Sequence, residues 1–284
     1  MVIRNRIIFL IFFAGFGLFS CMNPMASIEN KKVEFRNQYS KNHEYYKFNG
    51  QPMHVAWSGD SGKRPILFIH GSPGSFDAWS EFLVNKDLQQ RFHLLAVDRP
   101  GYGSSGKGQT ERSLKNQSDA IFAALQFNKS GLKPIIIGHS FGGAVVARMM
   151  IDEPDKIGGA IFVAASVDPH YETTKWYQYV GDWKIFSWAV PDFLRVCNEE
   201  IMALNAELEN LIPLWKNTKT PTVIIQGDQD DLVAPQNEAF LQKQIDSKYI
   251  VKSTMVPGLN HFVPWNRPDL ILEGIELLDK AAAN

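Results

Sequence analysis

The fold open to this 284-residue chain is limited first by an alternation of short apolar runs with segments of helical pattern. We predict strands near 54–57, 65–69, 92–97, 134–137, 160–164, 222–225 and 249–256. We predict helices near 76–84, 117–127, 142–151, 237–245 and 268–280. Apolar, β-branched runs separated by helical segments are typical of buried parallel strands. The pattern therefore predicts an α/β fold with a mostly parallel, doubly wound sheet, which binds ligands at the carboxyl ends of its strands.

Composition excludes several other classes of protein. Apolar residues make up 45% of the chain and charged residues 21%, which excludes a disordered or collagen-like chain. The net charge of -1 lacks the basic excess of a nucleic-acid-binding protein. The two cysteines, Cys21 and Cys197, are too few for a disulfide scaffold or a cysteine-rich zinc module.

The first 21 residues have the pattern of a targeting signal. Arg4 and Arg6 precede an apolar stretch over 7–19, whose 13 residues are too few to span a bilayer but fit the core of a signal peptide. The letters LFSC at 18–21 resemble a bacterial lipoprotein box. We expect a signal peptide over 1–20, a lipid on Cys21 and a membrane-held protein of the bacterial cell envelope. An ordinary secretory signal, giving a secreted or periplasmic protein, and an uncleaved anchor helix are the alternatives.

Two segments do not fit the strand–helix alternation. The polar stretch over 23–42 lacks apolar periodicity, so we predict an unpacked tether over 21–44 and a folded domain over 45–284. The region 169–215 has no convincing strand and holds four of the seven tryptophans. We predict a helical cap there, with an ordinary helical layer as the alternative. An aromatic cap favours a small-molecule substrate with an apolar part.

A nucleophile motif follows the fourth predicted strand. The letters GHSFG at 138–142 form the G-x-S-x-G pattern between a strand and a helix, where a sharp turn exposes the central serine. Flanking glycines are needed because the turn is strained and crowded. We therefore predict that Ser140 is a nucleophile at a helix N-terminus, where developing negative charge is favoured.

A serine nucleophile needs a base, and the base needs an orienting acid. His261 follows the last predicted strand and is the candidate base. The preceding strand ends at a segment with three aspartates, and Asp168 follows an earlier strand. The residues alone leave four candidate acids: Asp168, Asp228, Asp230 and Asp231.

Acyl transfer also requires donors for the oxyanion of the tetrahedral intermediate. The backbone N–H of Phe141, directly after the nucleophile, is one candidate. The second should come from the loop after the 65–69 strand, where Pro73 has no N–H to donate. We therefore predict that Ser72 supplies the second donor.

These motifs together resemble the α/β-hydrolase superfamily in its cap-bearing serine hydrolase branch. The matching letters are HGSPG at 70–74, DRPGYGSS at 98–105, GHSFGG at 138–143, GDQD at 227–230 and NHF at 260–262. The resemblance implies that Asp230 is the acid, giving the order Ser140, Asp230, His261. The serine at the nucleophile position argues against the aspartate chemistry of haloalkane dehalogenases and epoxide hydrolases.

The resemblance implies hydrolysis of a carboxylic ester or related acyl bond, without a metal or organic cofactor. Hydrolysis of a C–C or amide bond on the same fold is an alternative, and a catalytically idle ligand-binding protein is another. A lipid on Cys21 would leave Cys197 unpaired, and we expect an inert thiol there.

Overall fold

The computed structural model describes residues 22–172 and 191–282, with side chains from residue 29 onwards. Its sheet has eight strands: β1 (His43–Phe48), β2 (Gln51–Gly59), β3 (Arg64–Ile69), β4 (Phe92–Val97), β5 (Ile135–His139), β6 (Gly159–Val163), β7 (Thr222–Gly227) and β8 (Ile250–Val256). Their spatial order is β1-β2-β4-β3-β5-β6-β7-β8. The pairs β1–β2 and β2–β4 are antiparallel, and the other pairs are parallel. The predicted mostly parallel α/β sheet is confirmed.

The described residues include nine α-helices: α1 (Met22–Gln38), α2 (Ser80–Leu83), α3 (Lys86–Arg91), α4 (Leu114–Phe122), α5 (Phe141–Asp152), α6 (Asp192–Leu211), α7 (Asn237–Gln244), α8 (Val263–Asn266) and α9 (Pro268–Ala281). Short 3-10 helices span Phe76–Trp79, Ala123–Phe127, Ile212–Asn217 and Ser247–Tyr249. Helix α4 begins earlier than predicted because Ser113 caps it, accepting a hydrogen bond from the Asn116 N–H. None of the helices in the described ranges is long and apolar enough to cross a membrane.

The inner strands β3 to β7 are buried on both faces, which explains why they are apolar runs rather than alternating ones. In β3, Leu67 and Ile69 pack into a core that includes side chains of α4, α5 and α6. The alternate residues Ile66 and Phe68 pack into a second core with side chains of α2, α3 and α9. The strands β3 to β8 of the parallel part all end at one edge of the sheet, so the loops that follow them converge there.

The inserted region between β6 and β7 is described through α6 and the 3-10 helix that follows it. The second half of α6 is part of the core, since Leu204, Leu208 and Leu211 are buried there. Its first half lies over the loop after β4, where Gly101 is held against the Val196 side chain. The helix therefore has features of both a layer and a cap. Six predicted cap aromatics lie outside the described residues: Trp176, Tyr177, Tyr179, Trp183, Phe186 and Trp188.

The predicted unpacked tether over 21–44 is wrong for most of its length, because α1 occupies Met22–Gln38. Phe35 of α1 is 1% exposed. Its ring packs against Tyr39, His43 and Phe76, with ring centroids 5.3–5.8 Å apart. Burial of one aromatic ring docks the helix without the apolar periodicity on which the prediction relied. The predicted signal peptide and Cys21 lie outside the described residues.

Phe35→Ala should lower the free energy of unfolding by about 3 kcal/mol, because it removes a fully buried aromatic side chain and leaves a cavity. Urea unfolding followed by circular dichroism measures this change. Val33→Ala is the matched control on the same helix. Val33 is 43% exposed, and its truncation should change stability by less than about 0.5 kcal/mol. Equal losses in the two variants would contradict the packing described for Phe35.

Candidate active site

Ser140 lies in the turn between β5 and α5, as predicted. Its backbone has φ 56° and ψ −125°, a strained conformation for a residue with a side chain. The turn is fixed by hydrogen bonds from the Ser140 N–H to the Val163 carbonyl at 3.0 Å and from the Ser166 N–H to the Ser140 carbonyl at 3.1 Å. The serine thus lies at the N-terminus of α5, at the sheet edge where the strands end.

The glycines around this turn are required by close contacts. A Cβ on Gly138 would lie 2.3 Å from the Gly142 carbonyl oxygen, and one on Gly142 would lie 2.4 Å from the Ile69 carbonyl oxygen. A Cβ on Gly71, in the loop after β3, would lie 2.8 Å from Cβ of Ser140. The loop that holds the predicted oxyanion donor therefore packs directly against the serine turn.

The structure brings the predicted base and acid together. His261 Nδ1 and Asp230 Oδ2 are 2.8 Å apart, and the two residues are 6% and 5% exposed. The Asp230 carboxylate also accepts hydrogen bonds from the backbone N–H groups of Leu232 (3.0 Å) and Val233 (2.8 Å). The Gln226 amide donates to it at 3.0 Å. These three donors hold the carboxylate in a fixed orientation toward the imidazole.

The other candidate acids have other partners. The Asp168 carboxylate accepts a hydrogen bond from the His170 N–H at 2.9 Å. Asp228 accepts one from the Gly258 N–H at 2.7 Å, and Asp231 is exposed. Geometry therefore favours Asp230 as the partner of the histidine.

The two predicted oxyanion donors lie on opposite sides of this turn. Phe141 is the first residue of α5, where a backbone N–H has no acceptor within the helix. Ser72 is in the loop after β3, next to Gly71, and the Ser72–Pro73 peptide bond is cis. Ser72 and Phe141 thus lie on the two segments that meet at Ser140.

A buried ion pair that the sequence analysis missed lies beneath this loop. Arg99 and Glu200 are both completely buried, and Arg99 Nη1 is 2.8 Å from Glu200 Oε2. Burial lowers the pKa of Arg99, but the Glu200 carboxylate outweighs this effect and raises the pKa overall. A signal was present in the sequence, because Glu200 shares the four-residue spacing of Val196, Leu204 and Leu208 on the buried stripe of α6. A carboxylate on such a stripe requires a buried partner.

Two buried histidines near the site are held neutral. Burial and the charge of Arg99 lower the pKa of His70 to about 4. Its Nε2 accepts a hydrogen bond from the Arg99 N–H at 3.0 Å, so the ring proton is on Nδ1, which donates to the Gly71 carbonyl at 2.7 Å. Burial and neighbouring His261 lower the pKa of His139 well below its ordinary value. His139 Nε2 donates to the His261 carbonyl at 3.0 Å and so supports the loop of the predicted base.

Acid should destabilise the protein below about pH 6.5. Burial lowers the pKa values of His70 and His93 to about 4 in the folded state, against 6.5 ordinarily. The unfolded chain therefore binds more protons between these limits, and stability falls as pH falls. His70 alone should cost on the order of 2 kcal/mol between pH 7 and pH 5. Urea unfolding at both pH values measures the loss, and His93→Gln should reduce it. Equal stability at pH 7 and pH 5 would contradict this account.

Cys197 lies near Arg99 and Glu200 and has the properties expected of an inert thiol. Burial, followed by the charge of Glu200, raises its pKa to about 12, so the reactive thiolate is not formed near neutral pH. Among the residues that the structure describes, no group of three or more His, Cys, Asp or Glu side chains could hold a metal ion.

Comparisons with known proteins agree with this fold. A family model described as alpha/beta hydrolase fold matches residues 64–199, which include both the loop after β3 and the serine turn. The pimeloyl-[acyl-carrier protein] methyl ester esterase of Edwardsiella ictaluri is 32% identical over 106 residues, 37% of this chain and 38% of that protein. The esterase of that name from Wigglesworthia glossinidia brevipalpis is 24% identical over 258 residues, 78% of this chain and 95% of that protein.

Solved structures extend the likeness to nearly the full chain. A bacterial membrane phospholipase A has a TM-score of 0.64 at 17% identity, over 99% of this chain and 98% of that chain. At this identity the likeness concerns the fold alone. The chain matches six curated relatives at 32–34% identity, in each case over 40% or less of that relative's length.

Proposed function

We propose that this protein, whose fold is the α/β-hydrolase fold, is a serine hydrolase that cleaves a carboxylic ester through an acyl-enzyme on Ser140. The observation that carries the proposal is the arrangement of three residues at one sheet edge. Ser140 is in a strained turn at a helix N-terminus, and the His261–Asp230 pair is formed at 2.8 Å on loops that follow β8 and β7. Nucleophile, base and orienting acid thus come from three strands that end at the same place.

The proposed reaction begins with proton transfer from Ser140 to His261. Because Nδ1 of His261 donates to Asp230, its Nε2 lone pair is left to accept the serine proton as Oγ attacks the ester carbonyl. The N–H groups of Phe141 and Ser72 stabilise the oxyanion that forms. His261 then protonates the leaving alcohol, and the carbonyl re-forms as an acyl-enzyme. Water, deprotonated by His261, attacks this ester and releases the acid and free Ser140.

An ester is the bond favoured among the alternatives. Two relatives are named as methyl ester esterases, one of them matched over 95% of its length. Hydrolysis of a C–C bond or an amide would use the same residues and stays a second candidate. The buried His261–Asp230 pair favours catalysis over an idle ligand-binding role, since that role needs no activated serine.

A panel of p-nitrophenyl esters of rising acyl length, with a p-nitroanilide and a β-diketone as comparisons, tests the bond type. We expect turnover of the esters, a preference for an acyl chain with an apolar part, and little cleavage of the other two. The apolar preference follows from the aromatic composition of residues 169–215. Turnover of the diketone or anilide above all esters would move the proposal to the second candidate.

The proposed location is the bacterial cell envelope, with the protein held to a membrane by lipid on Cys21. The support is the signal-like segment over 1–20 followed by the LFSC letters at 18–21. Mass spectrometry of protein from cell membranes should find Cys21 as a lipid-modified N-terminus. The Cys21→Ala protein should be lost from the membrane fraction. An unmodified Cys21 in the mature cell-derived protein would contradict the anchor.

A further inference from the structure

The carboxylate of Glu200 belongs to a buried cluster made of Glu200, Arg99, Ser72, Tyr102 and Gln117, which we call the Glu200 cluster. Glu200 Oε1 accepts hydrogen bonds from the Ser72 and Tyr102 hydroxyls and, at 2.9 Å, from Arg99 Nη2. Its Oε2 accepts from Arg99 Nη1 at 2.8 Å and from the Gln117 amide at 3.3 Å. The cluster therefore joins α6 of the inserted region to the loop after β3.

Arg99 extends this connection to both predicted oxyanion donors. Its Nη2 donates to the Ser72 hydroxyl at 2.5 Å and to the Gly71 carbonyl at 3.2 Å. Its guanidinium carbon lies 4.4 Å from the centroid of the Phe141 ring. Its Nε donates to the His70 carbonyl at 2.9 Å. One side chain thus holds the two backbone carbonyls before Ser72 and the Ser72 hydroxyl, and it packs on the residue that follows Ser140.

This arrangement is more specific than stability alone requires. A buried ion pair gives little net stability, because both charges lose their hydration. A hydrophobic contact would dock α6 equally well, but it would not orient a hydroxyl or a carbonyl. The Ser72 hydroxyl accepts from Arg99 and donates to Glu200, so its rotation is fixed by two charged groups. Oxyanion stabilisation depends on such fixed donors, since a small displacement of a positioned group can cost about 100-fold in rate.

We infer that Glu200 is a positioning residue. It acts through the Ser72 hydroxyl to hold the loop after β3, which we call the oxyanion loop, in its working geometry. The inference rests on the proposed function, because it assumes that the Ser72 N–H stabilises an oxyanion. The inference also means that the position of α6 affects catalysis, because α6 carries the Glu200 carboxylate. Glu200 itself contacts no reacting atom in this arrangement.

Steady-state kinetics of Glu200→Gln with the best p-nitrophenyl ester test the inference. Glutamine keeps the shape of the side chain but loses the charge that orients Ser72 and Arg99. We expect kcat to fall about 10- to 100-fold, with KM changed by less than about threefold, because the loss falls on the transition state. Thermal unfolding of the same sample measures the accompanying loss of stability separately.

Three further variants separate positioning from a general effect on folding. Ser72→Ala keeps the backbone N–H and the Arg99–Glu200 pair, and we expect its kcat to fall at least about tenfold. The double variant, with Glu200→Gln and Ser72→Ala together, should have a kcat no lower than that of the slower single variant. The reason is that Glu200 is inferred to act through the Ser72 hydroxyl. Glu199→Gln is the control. Glu199 lies next to Glu200 on α6 and forms ion pairs with Arg112 and Arg195. Its kcat should stay within about threefold of wild type.

The outcomes distinguish the inference from the proposed function. If wild type hydrolyses the ester and Glu200→Gln keeps kcat within about threefold while its melting temperature falls, the role of Glu200 is structural and the inference is overturned. If the loss of kcat in the double variant equals the product of the two single losses, Glu200 does not act through Ser72 and that part of the inference is overturned. If Glu200→Gln does not fold, Ser72→Ala decides, and an unchanged kcat there overturns the inference. Failure of wild type to hydrolyse any ester would instead overturn the proposed function.

Discussion

Replacing Ser140 with alanine should lower kcat for ester hydrolysis by on the order of 10⁵- to 10⁶-fold, as loss of the nucleophile does in serine hydrolases with a base and an orienting acid. The alanine leaves the backbone N–H groups of Phe141 and Ser72 in place, so substrate should still bind. The residual rate should be the slow attack of water aided by those donors. Initial rates with the best p-nitrophenyl ester, measured over a wide range of enzyme concentration, quantify the loss.

Ser247→Ala is the matched control for this prediction. Ser247 is an exposed serine in the short helix before β8, away from the sheet edge that holds Ser140. Its kcat should stay within about threefold of wild type. A Ser140→Ala enzyme that retains a tenth of the wild-type kcat, about 1.4 kcal/mol of lost stabilisation, would show that another residue is the nucleophile.

Asp230→Asn should lower kcat by on the order of 10⁴-fold, the loss seen when an orienting aspartate becomes an amide. In the structure Asp230 Oδ2 accepts the proton of His261 Nδ1, and the other oxygen is held by two backbone N–H groups. An amide NH₂ facing His261 would favour the opposite tautomer, whose Nε2 carries a proton and cannot accept one from Ser140. KM should change little, because the carboxylate is buried and both of its oxygens are bonded within the protein.

Asp168→Asn is the control, because Asp168 was the alternative acid and follows a neighbouring strand. Its carboxylate bonds to the His170 N–H and not to the imidazole of His261. We expect its kcat to stay within about threefold of wild type. A larger loss in Asp168→Asn than in Asp230→Asn would move the orienting role to Asp168.

The parts of the fold that sequence could predict are those with a strong local pattern. The strands β3 to β7 are buried on both faces, so each is a largely apolar run bounded by turn residues. The predicted strand at 65–69 is β3 in the structure, one residue longer. The serine turn was predictable because a Cβ added at Gly138 or Gly142 would lie only 2.3–2.4 Å from a backbone carbonyl oxygen, so the turn requires glycine there. The His261–Asp230 distance could not be derived, but the order of the loops along the chain placed both residues at one edge.

The parts that sequence could not predict depend on single long-range contacts. Helix α1 packs on the domain through the buried ring of Phe35, and its few apolar residues do not recur with helical spacing. Strand β1 begins at His43 within the same predicted tether, because its pairing with β2 supplies the stability that its own residues do not indicate. Glu200 is the instructive case, since its place on the buried stripe of α6 was visible but its partner Arg99 is 101 residues away.

Helix α6 of the inserted region is fixed to the loops after β3 and β4 by the Glu200 cluster and by Val196. If Glu200 has the positioning role inferred above, substitutions that loosen α6 should lower kcat through the loop after β3.

Covalent labelling with a fluorophosphonate probe tests the central claim most directly, because the probe reacts with an activated serine whatever the natural substrate is. After digestion, mass spectrometry should locate one phosphonate adduct on the peptide that contains Ser140. The adduct should be absent in Ser140→Ala and should form much more slowly in Asp230→Asn. Failure of wild type to label under conditions that label a known serine hydrolase, or an adduct on a different residue, would contradict the assignment of Ser140 as the nucleophile.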